Sequence, residues 1–361
     1  SVTVSNNSAV DRGGGIYGTT GGNTLTTVTA NSNLDTGVQI DGGNNTFTAV
    51  TADSNASTGI LIDRGGNTLN TVIADSNASD GILIDGGGNT LNTVTADSNA
   101  GTGVSISNGN NTLTSVTTND NDGRGIRAVG SGNTLTEVTA NRNDNSGIRS
   151  GGTFTSVTVR NDTASGDGGG IYLTSASTLS EVTVSGNKAQ QSGGGLYSDG
   201  YDVDLSEVTF TGNTADDDGG GVYIRNAPRR AVNVSFYGNE QTDNFSDGGA
   251  LYLGNSGGTL ANVVLGGNTA AGNGGALYIA PDGNVPLINV AAANNSAGEE
   301  GGALYTTSSN SNDFPVLRNA ILWENTATGS GNEEQAYIES GSLPVEHSLI
   351  EGGVPNGAFD G

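Results

Sequence analysis

Aliphatic residues in the first half of the chain recur in two short alternating runs per repeat, separated by Gly, Asn, Asp and Ser. A representative unit reads Asn89-Thr90-Leu91-Asn92-Thr93-Val94-Thr95-Ala96-Asp97-Ser98-Asn99-Ala100, followed by Gly103-Val104-Ser105-Ile106. Apolar residues at alternate places predict strands, and no stretch sustains a helical period. The unit recurs every 22 residues between Val28 and Asn143. That length suits one turn of a parallel β-helix and is too short for a pair of helices.

Asparagine marks the register. Val28, Val50, Val72, Val94, Val116 and Val138 are each followed five places on by Asn33, Asn55, Asn77, Asn99, Asn121 and Asn143. The offset outlives the period, in Val182/Asn187, Val208/Asn213, Val234/Asn239, Val263/Asn268 and Val290/Asn295, and one register carries Asp162 instead. Val2/Asn7 and Ala320/Asn325 fit it at the two ends. A second column, Asn23, Asn45, Asn67, Asn89, Asn111 and Asn133, precedes threonine each time. Stacked coils place equivalent residues about 4.8 Å apart, close enough for amides to bond along the stack. A catalytic residue is needed once, so a residue repeated in every coil is structural.

The reading is therefore an all-β, single-stranded right-handed parallel β-helix of about 14 coils, its hand supplied by the resemblance below. We expect one continuous body over 1–361: regular coils over 21–152, longer coils over 153–327, and a terminal coil over 328–361 at the end of a fragment. In the longer coils the units change to Gly168-Gly169-Gly170-Ile171-Tyr172 and, later, Gly248-Gly249-Ala250-Leu251-Tyr252.

The second half also pairs Gly-Gly-Ala-Leu (248–251, 274–277, 301–304) with Phe-x-x-Asn (Phe210 to Asn213, Phe236 to Asn239). This resembles the paired tetrapeptide motifs of polymorphic outer-membrane proteins, whose passenger regions are surface adhesins. More broadly the chain is similar to secreted right-handed parallel β-helix repeat proteins. The ending, Ala-Ile-Leu-Trp-Glu-Asn-Thr-Ala (320–327) and His-Ser-Leu-Ile-Glu-Gly-Gly (347–353), matches a stretch common in those proteins. The resemblance implies a β-helix with an adhesive role at a cell surface or outside the cell, and leaves the ligand open because the same solenoid carries lyases and structural proteins.

Composition narrows the partners. The net charge is −25, with 61 glycines, no cysteine and Lys188 as the lone lysine. Such a surface repels nucleic acid and anionic membranes, and no run of about 18 apolar residues is present to insert into a bilayer. The acidic bias points to a halophilic source. Without cysteine there are no disulfides and no thiolate metal sites.

Candidate chemistry is sparse. His347 stands alone at the end of the chain without the flanking glycines of a polygalacturonase-like hydrolase. Arg124, Arg127, Arg142 and Arg149 gather over two coils near Asp120, Asp122 and Asp144, as a charge-balanced face or a polysaccharide-binding patch. Asp53, Asp75 and Asp97 repeat at 22 residues, as do Asp41, Asp63 and Asp85; these columns suit Ca²⁺, although no cofactor is required. The strongest functional candidate is aromatic. Alternation buries Ile171 and Leu173 and turns Tyr172 outward, and the same register makes Tyr172, Tyr197, Tyr223, Tyr252, Tyr278 and Tyr305 an outward stripe suited to stacking on sugars or docking a protein. The expected function is a non-catalytic extracellular or cell-surface module binding a glycan or cell-surface protein. The alternatives are a polysaccharide lyase or hydrolase and a subunit of a fibre assembled end to end.

Overall fold

The computed structural model describes residues 1–9, 13–225, 230–255, 257–280, 285–307, 315–329, 335–340, 343–352 and the backbone of 358–360. The last glycine of the 347–353 motif lies outside the described residues. The chain divides into two compact units, residues 1–163 and 164–361. Both are all-β, every pairing is parallel, and no helix occurs among the described residues. The solenoid makes about 12 turns, slightly fewer than the 14 coils expected from the sequence.

In the 1–163 unit each regular coil contributes a strand such as Thr90–Thr95 and a shorter one such as Val104–Ile106. Like pairs with like in the adjacent coil: Val28, Val50, Val72, Val94 and Val116 are register partners in sequence. So are Ile60, Ile82, Val104, Ile126 and Ile148. These side chains are fully buried or nearly so. Each coil hands a few aliphatics to a thin continuous core, which is how a chain only 33% hydrophobic fills its interior.

One sequence expectation needs correction. Leu91 and Val94 are three residues apart, yet both are buried, which simple alternation forbids. Thr93 between them is left-handed, with φ of 54°, and turns the backbone so that the inward face is restored. The same corner recurs at Thr27, Ala49, Thr71, Ser115 and Glu137, and in the other unit at Asn233, Asn262, Asn289 and Asn319. A second left-handed residue precedes each asparagine of the main column: Ser32, Ser54, Ser76 and Ser98 in one unit, Gly186, Gly212, Gly238 and Gly267 in the other.

The column itself is a hydrogen-bonded ladder. Oδ1 of Asn77 accepts both the backbone N–H and the side-chain amide of Asn55, each at 3.0 Å. The second amide proton of Asn77 goes to the Ala52 carbonyl at 2.9 Å. The pattern runs from Asn33 to Asp162 in the first unit and from Asn187 to Asn325 in the second. The companion column does likewise from Asn23 to Asn133. Buried amides would each cost on the order of 1–3 kcal/mol if unpaired; here donor and acceptor capacity is met by the neighbouring coils.

The 164–361 unit adds a narrow third sheet of two-residue strands just after each ladder asparagine, including Lys188–Ala189, Thr214–Ala215, Glu240–Gln241 and Thr269–Ala270. The glycine triplets are explained here. The first glycine is left-handed, as in Gly219 with φ of 70°. The second passes against the third sheet: a Cβ on Gly220 would lie 2.4 Å from the Glu240 carbonyl. The third position tolerates alanine, as Ala250, Ala276 and Ala303 demonstrate.

Candidate functional site: a stacked tyrosine column

The six sequence-selected tyrosines come together. Tyr172, Tyr197, Tyr223, Tyr252, Tyr278 and Tyr305 occupy the central, outward-facing place of strands such as Ile171–Leu173 and Leu277–Ile279. Flanking Ile171, Leu173, Leu277 and Ile279 are buried, so the tyrosines alternate with core residues along each strand. Consecutive strands are in register, which sets tyrosine beside tyrosine. Ring centroids are 5.0 to 5.1 Å apart along the series. A seventh ring, Tyr337, stacks on Tyr305 at 5.2 Å and 13°. Its sequence signal is weak because the place of the glycine triplet is taken by Glu333-Glu334-Gln335, with both glycines lost; the surviving signal is Ala336-Tyr337-Ile338, with Ala336 in the place of Leu304.

The stack changes what the column can do. From Tyr197 to Tyr305 the rings are nearly parallel, at 4 to 11°, so each face is covered by its neighbour. Ring edges and hydroxyls reach outward, while Tyr223 and Tyr305 are only 8% exposed. A sugar cannot lie flat on an interior ring; it meets a ridge of edges and hydroxyl groups.

A second side-chain ladder runs beside the rings, on the residue preceding each glycine triplet. Asp167 accepts the Ser192 N–H at 3.1 Å, Asp218 that of Asp247 at 2.9 Å, and Asp247 that of Asn273 at 2.8 Å. Burial pushes the Asp218 carboxyl up to about 6, with further upward pressure from Asp247 and Asp217. Asp247 is raised for the same first reason, while its bonds to Asn273 and the Tyr278 hydroxyl pull the other way. The phenols of Tyr197, Tyr252, Tyr278 and Tyr305 are all pushed above their ordinary range, chiefly by desolvation and then by nearby groups such as Asp167, Asp218, Asp247 and Glu339. At neutral pH these four hydroxyls are therefore neutral. On the opposite flank Arg225 pairs with Asp199 at 3.2 Å.

The other candidates separate. Arg142 is taken by Asp120 through two bonds of 2.6 Å, whereas Arg124, Arg127 and Arg149 lie together elsewhere on the coils. His347 is an exposed corner residue with φ of 49°. Lys188 pairs with Asp216 at 3.5 Å. Asp53, Asp75 and Asp97 cap backbone: each Oδ1 accepts the N–H of the next residue in the column, at 3.0, 2.8 and 2.6 Å. Among the described residues no three His, Cys, Asp or Glu side chains are grouped so as to hold a metal ion. A depression of about 770 Å³ in the 1–163 unit is lined by turn residues, with Asp41 and Arg64 its charged groups.

Residues 58–205 match the family model of the right-handed β-helix region. The chain is a right-handed parallel β-helix. Two segments of this β-helix, residues 1–19 and 207–225, also match the Chlamydia polymorphic membrane protein repeat. The second holds the Phe210-to-Asn213 motif that carries the resemblance, together with the glycine triplet leading to Tyr223. The first holds Gly13-Gly14-Gly15-Ile16-Tyr17, with Val4 rather than phenylalanine three places before Asn7. No curated protein matches the β-helix.

Proposed function

We propose that this β-helix is a surface-displayed, non-catalytic adhesive module that meets a glycan or protein along its tyrosine ridge. The observation carrying the proposal is the unbroken row of seven stacked rings from Tyr172 to Tyr337. Stacking fixes the rings, so little side-chain freedom is lost when the ridge is covered. Neutral hydroxyls at one-coil intervals offer a regular row of donors and acceptors to a repeating partner. The polymorphic membrane protein repeat supports the surface setting. Cations, Ca²⁺ included, gather along the acidic columns as diffuse countercharge.

The test uses the double variant Tyr252→Phe/Tyr278→Phe, which keeps the ring stack and removes hydroxyls, on glycan and surface-protein arrays. Binding by the parent that is lost in the variant supports the ridge; equal binding by both refutes it.

One observation favours a carbohydrate-active reading. Asp218 and Asp247 are carboxylates in adjacent coils with raised pKa, beside rings that could position a sugar. Both already hold backbone N–H groups, which argues for a structural role. Release of reducing or unsaturated sugars from acidic polysaccharide, abolished in Asp218→Asn, would establish the enzymatic alternative.

A further inference from the structure

Basic residues are scarce in this chain, 12 against 37 acids, and three of them converge in the 1–163 unit. Arg127 and Arg149 are direct register partners on the strands Ile126–Thr136 and Ile148–Thr155. Their Cα atoms are one strand spacing apart, about 4.8 Å. Both point away from the core, because Ile126, Ala128, Ile148 and Ser150 on either side are buried. Arg124 joins them from the preceding turn. It is half-buried, and desolvation, then Arg149 and Arg127, lower its pKa. Its Nε is buried and has no hydrogen-bond partner.

The clustering is local. At the same strand place the earlier coils carry Gln39, Leu61, Leu83 and Ser105. At the place of Arg124 the two preceding coils carry Thr102 and Asp80. Asp80, whose carboxylate accepts the Thr102 N–H at 2.6 Å, sets one opposing charge against Arg127. Asp120 is occupied by Arg142. Asp122 and Asp144 are exposed beside the ladder asparagines.

Like charges at strand spacing repel by roughly 1 kcal/mol per pair in water, and by more where water is partly excluded. An oxyanion shared between the guanidinium forks reverses that term, because each planar fork matches two oxygens of a carboxylate, sulfate or phosphate. We infer that Arg124, Arg127 and Arg149 form an oxyanion-binding site on the β-helix, one that takes a carboxylate, sulfate ester or phosphate group. The surrounding charge of −25 repels the rest of any polyanion, so contact is confined to this patch and weakens with salt. The site uses residues of the 1–163 unit alone.

Calorimetric titration at low ionic strength tests it, with polygalacturonate, dextran sulfate and inorganic phosphate as probes and neutral dextran as control. The parent is compared with Arg127→Gln/Arg149→Gln, Arg124→Gln and Arg160→Gln. Arg160 is exposed in the same unit and reports the effect of losing one charge elsewhere. The expected result is binding of at least one anionic probe, weakened about tenfold or more in the double variant and clearly weakened in Arg124→Gln, with Arg160→Gln close to the parent. The preferred probe identifies the source of the oxyanion. Absence of binding to every anionic probe, equal binding of neutral dextran, or equal weakening by Arg160→Gln would overturn the assignment. Unchanged circular dichroism and melting of the double variant separate lost binding from lost folding.

Discussion

Asn143 donates both its backbone N–H and its side-chain amide to one oxygen, Oδ1 of Asp162, at 2.8 and 2.7 Å. The ladder acceptors from Asn55 to Asn143 in the same unit are amides. Asp162 is fully buried, and loss of water pushes its carboxyl up to about 7 against the downward pull of Asn143 and Arg142. The folded chain thus keeps this proton to higher pH than the unfolded chain. The stability it contributes is complete below the ordinary carboxylate range and is lost as pH rises from about 4 to about 7. Asp162→Asn should raise stability at pH 7.5 by on the order of 2–4 kcal/mol and leave it nearly unchanged at pH 4. Urea unfolding at both pH values checks this; an equal gain at both would locate the effect elsewhere.

The same sign governs other acids. Asp53, Asp75, Asp80, Asp97, Asp167, Asp218 and Asp247 all have raised pKa, with desolvation the largest cause. The melting temperature should therefore rise as pH falls from 7 towards 4.5, where many acidic proteins begin to weaken. Added NaCl at pH 7 should recover part of the gain by screening the excess negative charge. Scanning calorimetry across pH and salt would show this, and a melting temperature that falls steadily with acid would contradict it.

Left-handed corners offer a route to stabilisation. Ser54 and Ser76 have φ of 57° and 58°, where their counterparts Gly212 and Gly238 carry glycine. A left-handed L-residue costs roughly 1–2 kcal/mol, against a smaller entropic cost for glycine. Ser54→Gly and Ser76→Gly should each gain up to about 1 kcal/mol in denaturant unfolding. Asn77→Ala beside them should lose about 2–4 kcal/mol, because it strands ladder partners above and below.

The two inner positions of a glycine triplet should respond differently. A Cβ at Gly220 meets backbone of Glu240 and Gly249 at 2.4 Å, so Gly220→Ala should cost about 3 kcal/mol or more. A Cβ at Gly221 meets the Ala250 carbonyl at 2.5 Å, yet alanine already fills that place at 250, 276 and 303. Gly221→Ala should cost less than about 1 kcal/mol. Thermal melts of the pair decide it, and similar losses would refute the assigned contacts.

Much of the β-helix was legible because its register is written in residues that recur at fixed offsets. Asn repeated at a fixed offset from Val gave the ladder, and buried aliphatics gave the inward face. Alternation also gave the outward turn of Tyr172 and its counterparts. It could not give ring rotation, which decides that neighbours cover the faces and leave the edges. The corner at Thr93 was hidden because backbone handedness leaves no mark on a threonine. Of Arg124, Arg127, Arg142 and Arg149, spacing gathered the three that lie together but could not tell that Arg142 pairs with Asp120 instead. Tyr337 escaped because the glycines that announce the other rings are absent there.

The amide ladder has a consequence for how such a gene can change. Each rung presents one acceptor oxygen to the coil before it and two donors, backbone N–H and side-chain amide, to the coil after it, and Asn67, Asn89 and Asn111 are interchangeable in both respects. Excision or duplication of one 22-residue unit rejoins equivalent ladder groups, so slippage during replication would alter the number of coils without breaking the ladder. The regular unit is thus tolerant of copy-number drift. The glycine-triplet coils differ in loop length and in the charges beside their rings, and each carries the memory of its own place.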